Sequence, residues 1–233
     1  MAFRSSAKAS SAAGGTITAT PAGVAAHDYL AGFYTADGSR TITAPTAWNT
    51  IITVDLASPD GQSNRFSDKN DATGSDAFGW GTSDGVNVAV INGAWSGRDN
   101  TTPRSATPVT TSNTSANATP ISCSFTGITA TANDDIALFK STDQTAAADR
   151  WNFAPPASYT EREDGIAVDW ISGLALDTRD AVGGGATGSL ASTATRTSGT
   201  GTAGYAGIVI AIKAAAGGGA AVQPRLMMLG TGQ

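Results

Sequence analysis

Cysteine is almost missing from this chain of 233 residues: Cys123 stands alone, so no disulfide can form within it, and stability has to come from packing and hydrogen bonding. Histidine occurs once, as His27, and glutamate twice, as Glu161 and Glu163. Cys123 and His27 together cannot supply the four ligands of a structural zinc site. Charge is scarce as well. Asp, Glu, Lys and Arg make up 14% of the residues, well under the roughly 25% typical of soluble domains, so Thr, Ser, Asn and Gly must clothe the surface. The 14 basic residues are scattered singly under a formal charge of −5, which argues against a phosphate-neutralising face and against DNA or RNA as a partner. No apolar run approaches the roughly 18 residues of a membrane span. The opening "MAFRSSAKASSAAGG" carries no apolar core of a secretory signal, and synthesis in the cytoplasm with no membrane partner is expected.

What the chain does have is the alternation of strands. In "WNTIITVDL", Trp48, Ile52, Val54 and Leu56 share one parity, which predicts a half-buried strand. "VNVAVINGAW", Val86 to Trp95, is apolar on both parities and predicts a strand covered on both faces. Similar runs fall at 16–20, 29–34, 77–82, 121–125, 136–139, 166–176, 189–197 and 205–213. Helical patterns are nearly absent; the best, "DQTAAADRW", is barely two turns and has no amphipathic stripe. About ten strands between Gly, Pro, Asn and Asp clusters predict an all-β fold, an antiparallel two-sheet β-sandwich of jelly-roll-like type over residues 15–214. Residues 1–14 are expected to be a flexible amino-terminal arm, and residues 215–233 a Gly/Ala linker followed by an apolar docking tail. Residues 58–76 and 97–120 are expected to be long polar connections.

Few residues invite chemistry. His27 would have to serve any Ser-His-Asp arrangement, but Asp28 beside it on a strand points to the opposite face, and no G-x-S-x-G elbow occurs; a strand-edge histidine is expected. Glu161 and Glu163, two apart on a strand, would share a face like a glycosidase pair, yet the segment is polar and borders the Asp164-Gly165 turn, which predicts a solvated strand end. Asp68, Asn70, Asp71 and Asp76 offer oxygen ligands, but Ala72 and Thr73 break the EF-hand pattern, leaving only an irregular calcium loop as an option. "GGGATGS", residues 183–189, lacks the ending of a phosphate loop. Of the five tryptophans, Trp151 is the least committed to a strand and is the candidate glycan contact. No catalytic, metal or cofactor site is assigned.

Several segments taken together resemble a family of bacteriophage virion proteins that share a β-sandwich domain: "TITATPAGVAAHDYLAGFYTADGSRTITAPTAW", "GAWSGRDNTTP", "FAPPASYTERED", "GGGATGS" and "YAGIVIAIKA". His27 departs from the resembled pattern, where glycine is common before Asp28. The resemblance implies a non-enzymatic structural protein of the virion, made in the host cytoplasm and incorporated as a capsid decoration, head projection or tail component. Its implied partners are itself, as a homo-oligomer such as a trimer, and the major capsid or tail proteins of the same particle. The docking tail is then Pro224, Arg225, Leu226, Met227, Met228 and Leu229, four apolar side chains in a row after a small-residue tether. Such a run needs a cavity or a sheet edge to enter, either on a companion subunit or back on its own sandwich. The alternative is a glycan-binding module of a tail fibre or host-attachment protein, with Trp151 and the long loops forming a shallow site.

Overall fold

The structure, a computed structural model, describes residues 1–56, 61–82, 86–116, 120–143, 150–165, 173–180, 182–198 and 203–216. Those residues contain eighteen strands and no helix, and every ladder between strands is antiparallel. The first half of the chain forms β1 (Ala2–Ser11), β2 (Ile17–Thr18), β3 (Tyr29–Asp37), β4 (Ile42–Thr43), β5 (Asn49–Thr53), β6 (Gln62–Lys69), β7 (Gly79–Thr82) and β8 (Val88–Ser96). The second half forms β9 (Val109–Ala116), β10 (Ile121–Phe125), β11 (Thr129–Ala132), β12 (Asp135–Thr142), β13 (Arg150–Ala154), β14 (Thr160–Asp164), β15 (Leu174–Arg179), β16 (Gly183–Ala186), β17 (Leu190–Ser198) and β18 (Ala203–Ile212).

The all-β antiparallel sandwich expected from the alternation is what is found, but it is built twice. In the first half a five-stranded sheet, β1-β8-β3-β6-β5, is backed by a three-stranded sheet, β2-β7-β4. In the second half β14-β15-β12-β18-β9 is backed by β10-β17-β13, with the small β11-β16 sheet added. Read in chain order within each half, these are the same winding. The two five-stranded sheets lie face to face in the middle, so the layers run three, five, five, three. Four strands with both faces apolar explain why: β3, β8, β12 and β18 are buried along nearly their whole length and need a layer on either side.

The duplication extends to register. Phe33 pairs with Ile91 and Phe66 as Phe139 pairs with Ile208 and Leu176. A bulge between Thr50 and Ile52 on β5 recurs between Glu161 and Glu163 on β14. The turn before each of these strands is also the same: Trp48 N–H donates to the Pro45 carbonyl and Tyr159 N–H to the Pro156 carbonyl, with Ala47 and Ser158 both at positive φ, 65° and 69°. Ahead of β3 and β12, His27 and Asn133 take φ of 69° and 70°, and the next residue, Asp28 or Asp134, accepts the N–H of Ala25 or Thr131 on its carboxylate. Short polar side chains that bond their own backbone are what make such turns stable.

Three large apolar clusters follow the layers, with a small fourth of Val54, Leu56 and Ala206. The central one joins Tyr29, Phe33, Phe66, Ile91 and Trp95 of the first half to Phe139, Leu174, Leu176, Ile208, Ile210 and Ile212 of the second. Phe139 meets three rings across this seam, Phe66 at 5.5 Å, Phe33 at 6.3 Å and Trp95 at 6.5 Å between centroids. Each such side chain contributes about 1.5–3 kcal/mol by leaving water, and each ring pair about 0.5–1.5 kcal/mol more. The outer clusters fill each sandwich: Trp48, Phe78, Trp80 and Tyr34 in the first, Phe125, Trp151, Phe153 and Tyr205 in the second.

Three sequence expectations are corrected. Residues 2–11, expected in a flexible arm, form β1, because Ala7 and Ala9 pack on the outer cluster while Met1 and Phe3 pack on the central one. The arm's cations find acids at home: Arg4 pairs with Asp28 at 2.7 Å and Lys8 with Glu163 at 3.5 Å. The supposed connection 58–76 contains β6, whose Gln62, Asn64 and Ser67 are buried, and the supposed connection 97–120 contains β9, the edge of its sheet.

Two outcomes follow from this packing. A Cβ on Gly32 would sit 2.2 Å from Asn92 Oδ1 and 2.6 Å from the Trp80 ring, whereas one on Gly183 meets nothing within 4 Å. Gly32→Ala should therefore cost about 1–3 kcal/mol in urea denaturation and Gly183→Ala close to nothing. Cys123 is buried, and burial pushes its thiol up to about 12. It should resist a thiol reagent in the native protein and react fully once the chain is unfolded.

Candidate functional site

The two sandwiches are joined by the segment from Gly97 to Pro108, and the most structured polar site of the described residues lies beneath it. Gly97, at φ 68°, turns the chain out of β8 directly against Met1. The segment is then stitched to the end of β18: Ser105 N–H donates to the Ala211 carbonyl, Lys213 N–H to Pro103, Asp99 N–H to Lys213 and Ala215 N–H to Gly97. Asp99 accepts the N–H groups of Thr101 and Thr102, each at 2.9 Å, and pairs with Lys213 at 2.9 Å. The Thr102 N–H first, then Lys213 and the Thr101 N–H, hold its carboxyl well below the usual range.

Under this strap sits a buried ionic cluster. Tyr29 Oη donates to Asp68 Oδ2 at 2.7 Å, and Arg104 Nε lies 3.2 Å from the same oxygen. Burial raises the Asp68 carboxyl, with Tyr29, Arg104 and Asn49 acting in the opposite direction. Burial together with Asp68 raises the Tyr29 phenol far above its ordinary value, so it stays a neutral donor. The Arg98 side chain is fully buried beside them; its Nη1 donates to the Asp99 carbonyl, and its Nη2 lies 3.6 Å from Asp71. A cleft of about 460 Å³ opens beside the cluster, lined by Asn70 and residues 101–108. Asn70 Oδ1 is buried there without a hydrogen-bond partner. Because Asp68 takes up the charge of Arg104, the cleft presents hydroxyl groups and an amide rather than a net charge. What it can do is accept and donate hydrogen bonds.

The residues singled out from the sequence are mostly dispersed. His27 is not on a strand edge but in the positive-φ turn, 70% exposed, with Nδ1 2.7 Å from Asp71 Oδ1; Asp28 faces away into its own turn and toward Arg4. The bulge on β14 separates the two glutamates: Glu163 reaches Ser6 and Lys8 of β1, while Glu161 is exposed. The candidate calcium ligands point to different partners, Asp68 to Tyr29 and Arg104, Asp71 to His27 and Arg98, Asp76 to Lys69 at 2.6 Å. Among the described residues no three His, Cys, Asp or Glu side chains are grouped to hold a metal. "GGGATGS" supplies β16, paired with β11.

Trp151 is 5% exposed, part of the core of the second sandwich, with the Arg196 guanidinium 4.7 Å above its ring. It is packed rather than presented, since β13 belongs to the outer sheet and turns this side chain inward, and the glycan contact assigned to it has no open ring face to use. Pro224, Arg225, Leu226, Met227, Met228 and Leu229 lie outside the described residues. Sequence reasoning passed over Arg98, Arg104 and Tyr29, because nothing in their spacing links them. Only the duplicated fold brings the start of β3, the end of β6 and the connecting segment to one point.

No family model, curated protein or solved structure matches the chain.

Asp68 carries the test of this junction. Asp68→Ala leaves the buried Tyr29 hydroxyl without its acceptor and the half-buried Arg104 without its partner, and should cost about 1–3 kcal/mol in chemical denaturation, more than most surface carboxylate deletions.

Proposed function

We propose that the chain is a non-enzymatic structural subunit of a larger particle, in keeping with the virion role that the resemblance implies. It is made in the host cytoplasm and works by being held in place among copies of itself and capsid or tail proteins. The observation that supports this reading is the central seam: two sandwiches spend their broad faces on each other and form one stiff four-layered body. A body of that kind bears load and presents surfaces.

Attachment falls to the carboxyl-terminal segment. The described chain leaves the body where Ala214 bridges to Arg98, and the run Leu226 to Leu229 follows after a stretch of small residues. Burying Leu226 and Leu229 in a companion subunit would contribute about 1.5–3 kcal/mol each, and repetition over a symmetric particle multiplies such weak contacts. Among the described residues the β9 edge, "VTTSNTSA", has one neighbour in its sheet and offers a second contact by strand addition.

Sedimentation velocity on the full chain and on a chain ending at residue 216 tests this. The full chain should self-associate with rising concentration, and the shortened one should sediment as a monomer with an unchanged thermal midpoint. A full chain that stays monomeric throughout, or a shortened one that associates equally well, overturns the proposal.

A further inference from the structure

Inside the second sandwich, Lys140 of β12 and Asp177 of β15 are both wholly buried, with Lys140 Nζ 2.5 Å from Asp177 Oδ2. In the ladder Asp177 stands opposite Leu138, so the two are diagonal neighbours on one sheet face, which brings a long amine onto a short carboxyl. The enclosure is mostly apolar. The Phe153 ring centroid lies 5.1 Å from Nζ, Ser192 Oγ 2.8 Å and the Ala154 carbonyl 3.4 Å, while Ser192 donates to that carbonyl at 2.6 Å. Asp177 Oδ1 has no hydrogen-bond partner.

An ion pair in such a place is poorly rewarded, because desolvating two charges costs several kcal/mol per ion and one carboxylate oxygen here recovers nothing. The molecule contains its own comparison. In the first sandwich the equivalent positions, next to Phe33 and Phe66 as Lys140 and Asp177 are next to Phe139 and Leu176, hold Tyr34 and Ser67, both wholly buried and uncharged. The fold does not need a charged pair there. Burial pushes the Asp177 carboxyl up to about 6, with Lys140 opposing and Glu161 and Asp164 reinforcing the rise, which favours the protonated acid.

We propose that Lys140 and Asp177 condense within the folded chain into an amide that crosslinks β12 to β15. Proton transfer along the 2.5 Å contact converts the ion pair into an amine and a carboxylic acid. The Nζ lone pair attacks Asp177 Cγ and forms the C–N bond. The C–O bond to the protonated oxygen then breaks, one Nζ proton leaves with that hydroxyl as water, and a neutral amide remains. No oxidant or other reactant is consumed. The product removes both buried charges and keeps one N–H, which Ser192 Oγ is placed to accept. A covalent tie between neighbouring strands also restricts the unfolded chain, as a disulfide does, in a protein whose single cysteine cannot form one.

Intact mass spectrometry of the full-length protein, denatured before measurement, decides the matter. The protein should be lighter than its sequence by one water, and protease digestion should yield a branched peptide joining Lys140 to Asp177, with no tryptic cleavage after Lys140. Lys140→Arg and Asp177→Ala should each return to full sequence mass. Wild-type protein at full sequence mass, with Lys140 open to acylation after unfolding, overturns the proposal, and so does a water loss that persists in Asp177→Ala. The wild-type measurement is read on unfolded chain, so it stands even where a variant folds poorly.

Discussion

The seam between the two five-stranded sheets is the constraint on which the rest depends. Phe33, Phe66 and Trp95 on one side and Phe139, Leu176 and Ile208 on the other are inward-facing residues of sheets that each have another sheet behind them. Neither five-stranded sheet could face water on that side without exposing a continuous apolar surface far larger than a soluble protein tolerates. The halves are therefore obligate companions, and the contact between them has the character of a domain core rather than of a hinge. Phe33 and Phe139, equivalent residues of the two copies of one winding, meet within this seam.

Departures from that symmetry are informative because the winding is common to both halves. The corner beneath the connecting segment holds Tyr29, Asp68, Arg98 and Arg104, and the start of β12 carries Asp135 where β3 carries Tyr29. At another point in the seam, Gln62 and Asn64 of β6 hydrogen-bond Ser141 and the Thr142 carbonyl of β12, so polar contacts also lock the halves in register. Lys140 and Asp177 sit where the other half has Tyr34 and Ser67. Such differences, set in equivalent surroundings, separate what the architecture demands from what a particular position adds.

Much of the strand content was legible because burial on two sides leaves an unmistakable pattern. "VNVAVINGAW" announced a central strand, and β8 is one. The polar strands were not legible. β6 buries Gln62, Ser63, Asn64, Ser67 and Asp68, satisfied by neighbours distant in sequence, so it read as a loop; β1 and β9 are edge strands of Ser, Thr and Ala, with little to bury and hence little alternation. Trp151 read as uncommitted because its partner, Arg196 on β17, is brought over it only by the outer sheet. The duplication did leave a trace. "AHDYLAGF" and "ANDDIALF" share their Ala, Asp, Ala and Phe, and "PTAW" and "PASY" share a proline three residues before an aromatic. Each pair marks an equivalent turn with a residue at positive φ, a signal carried by backbone geometry more than by hydrophobic pattern.

Gly97 is the meeting place of the two ends of the described chain: Met1 lies against it, and its carbonyl holds Ala215. A pull transmitted through residue 216 therefore reaches the body where β8 ends and β1 begins, beside two strands that are paired with each other.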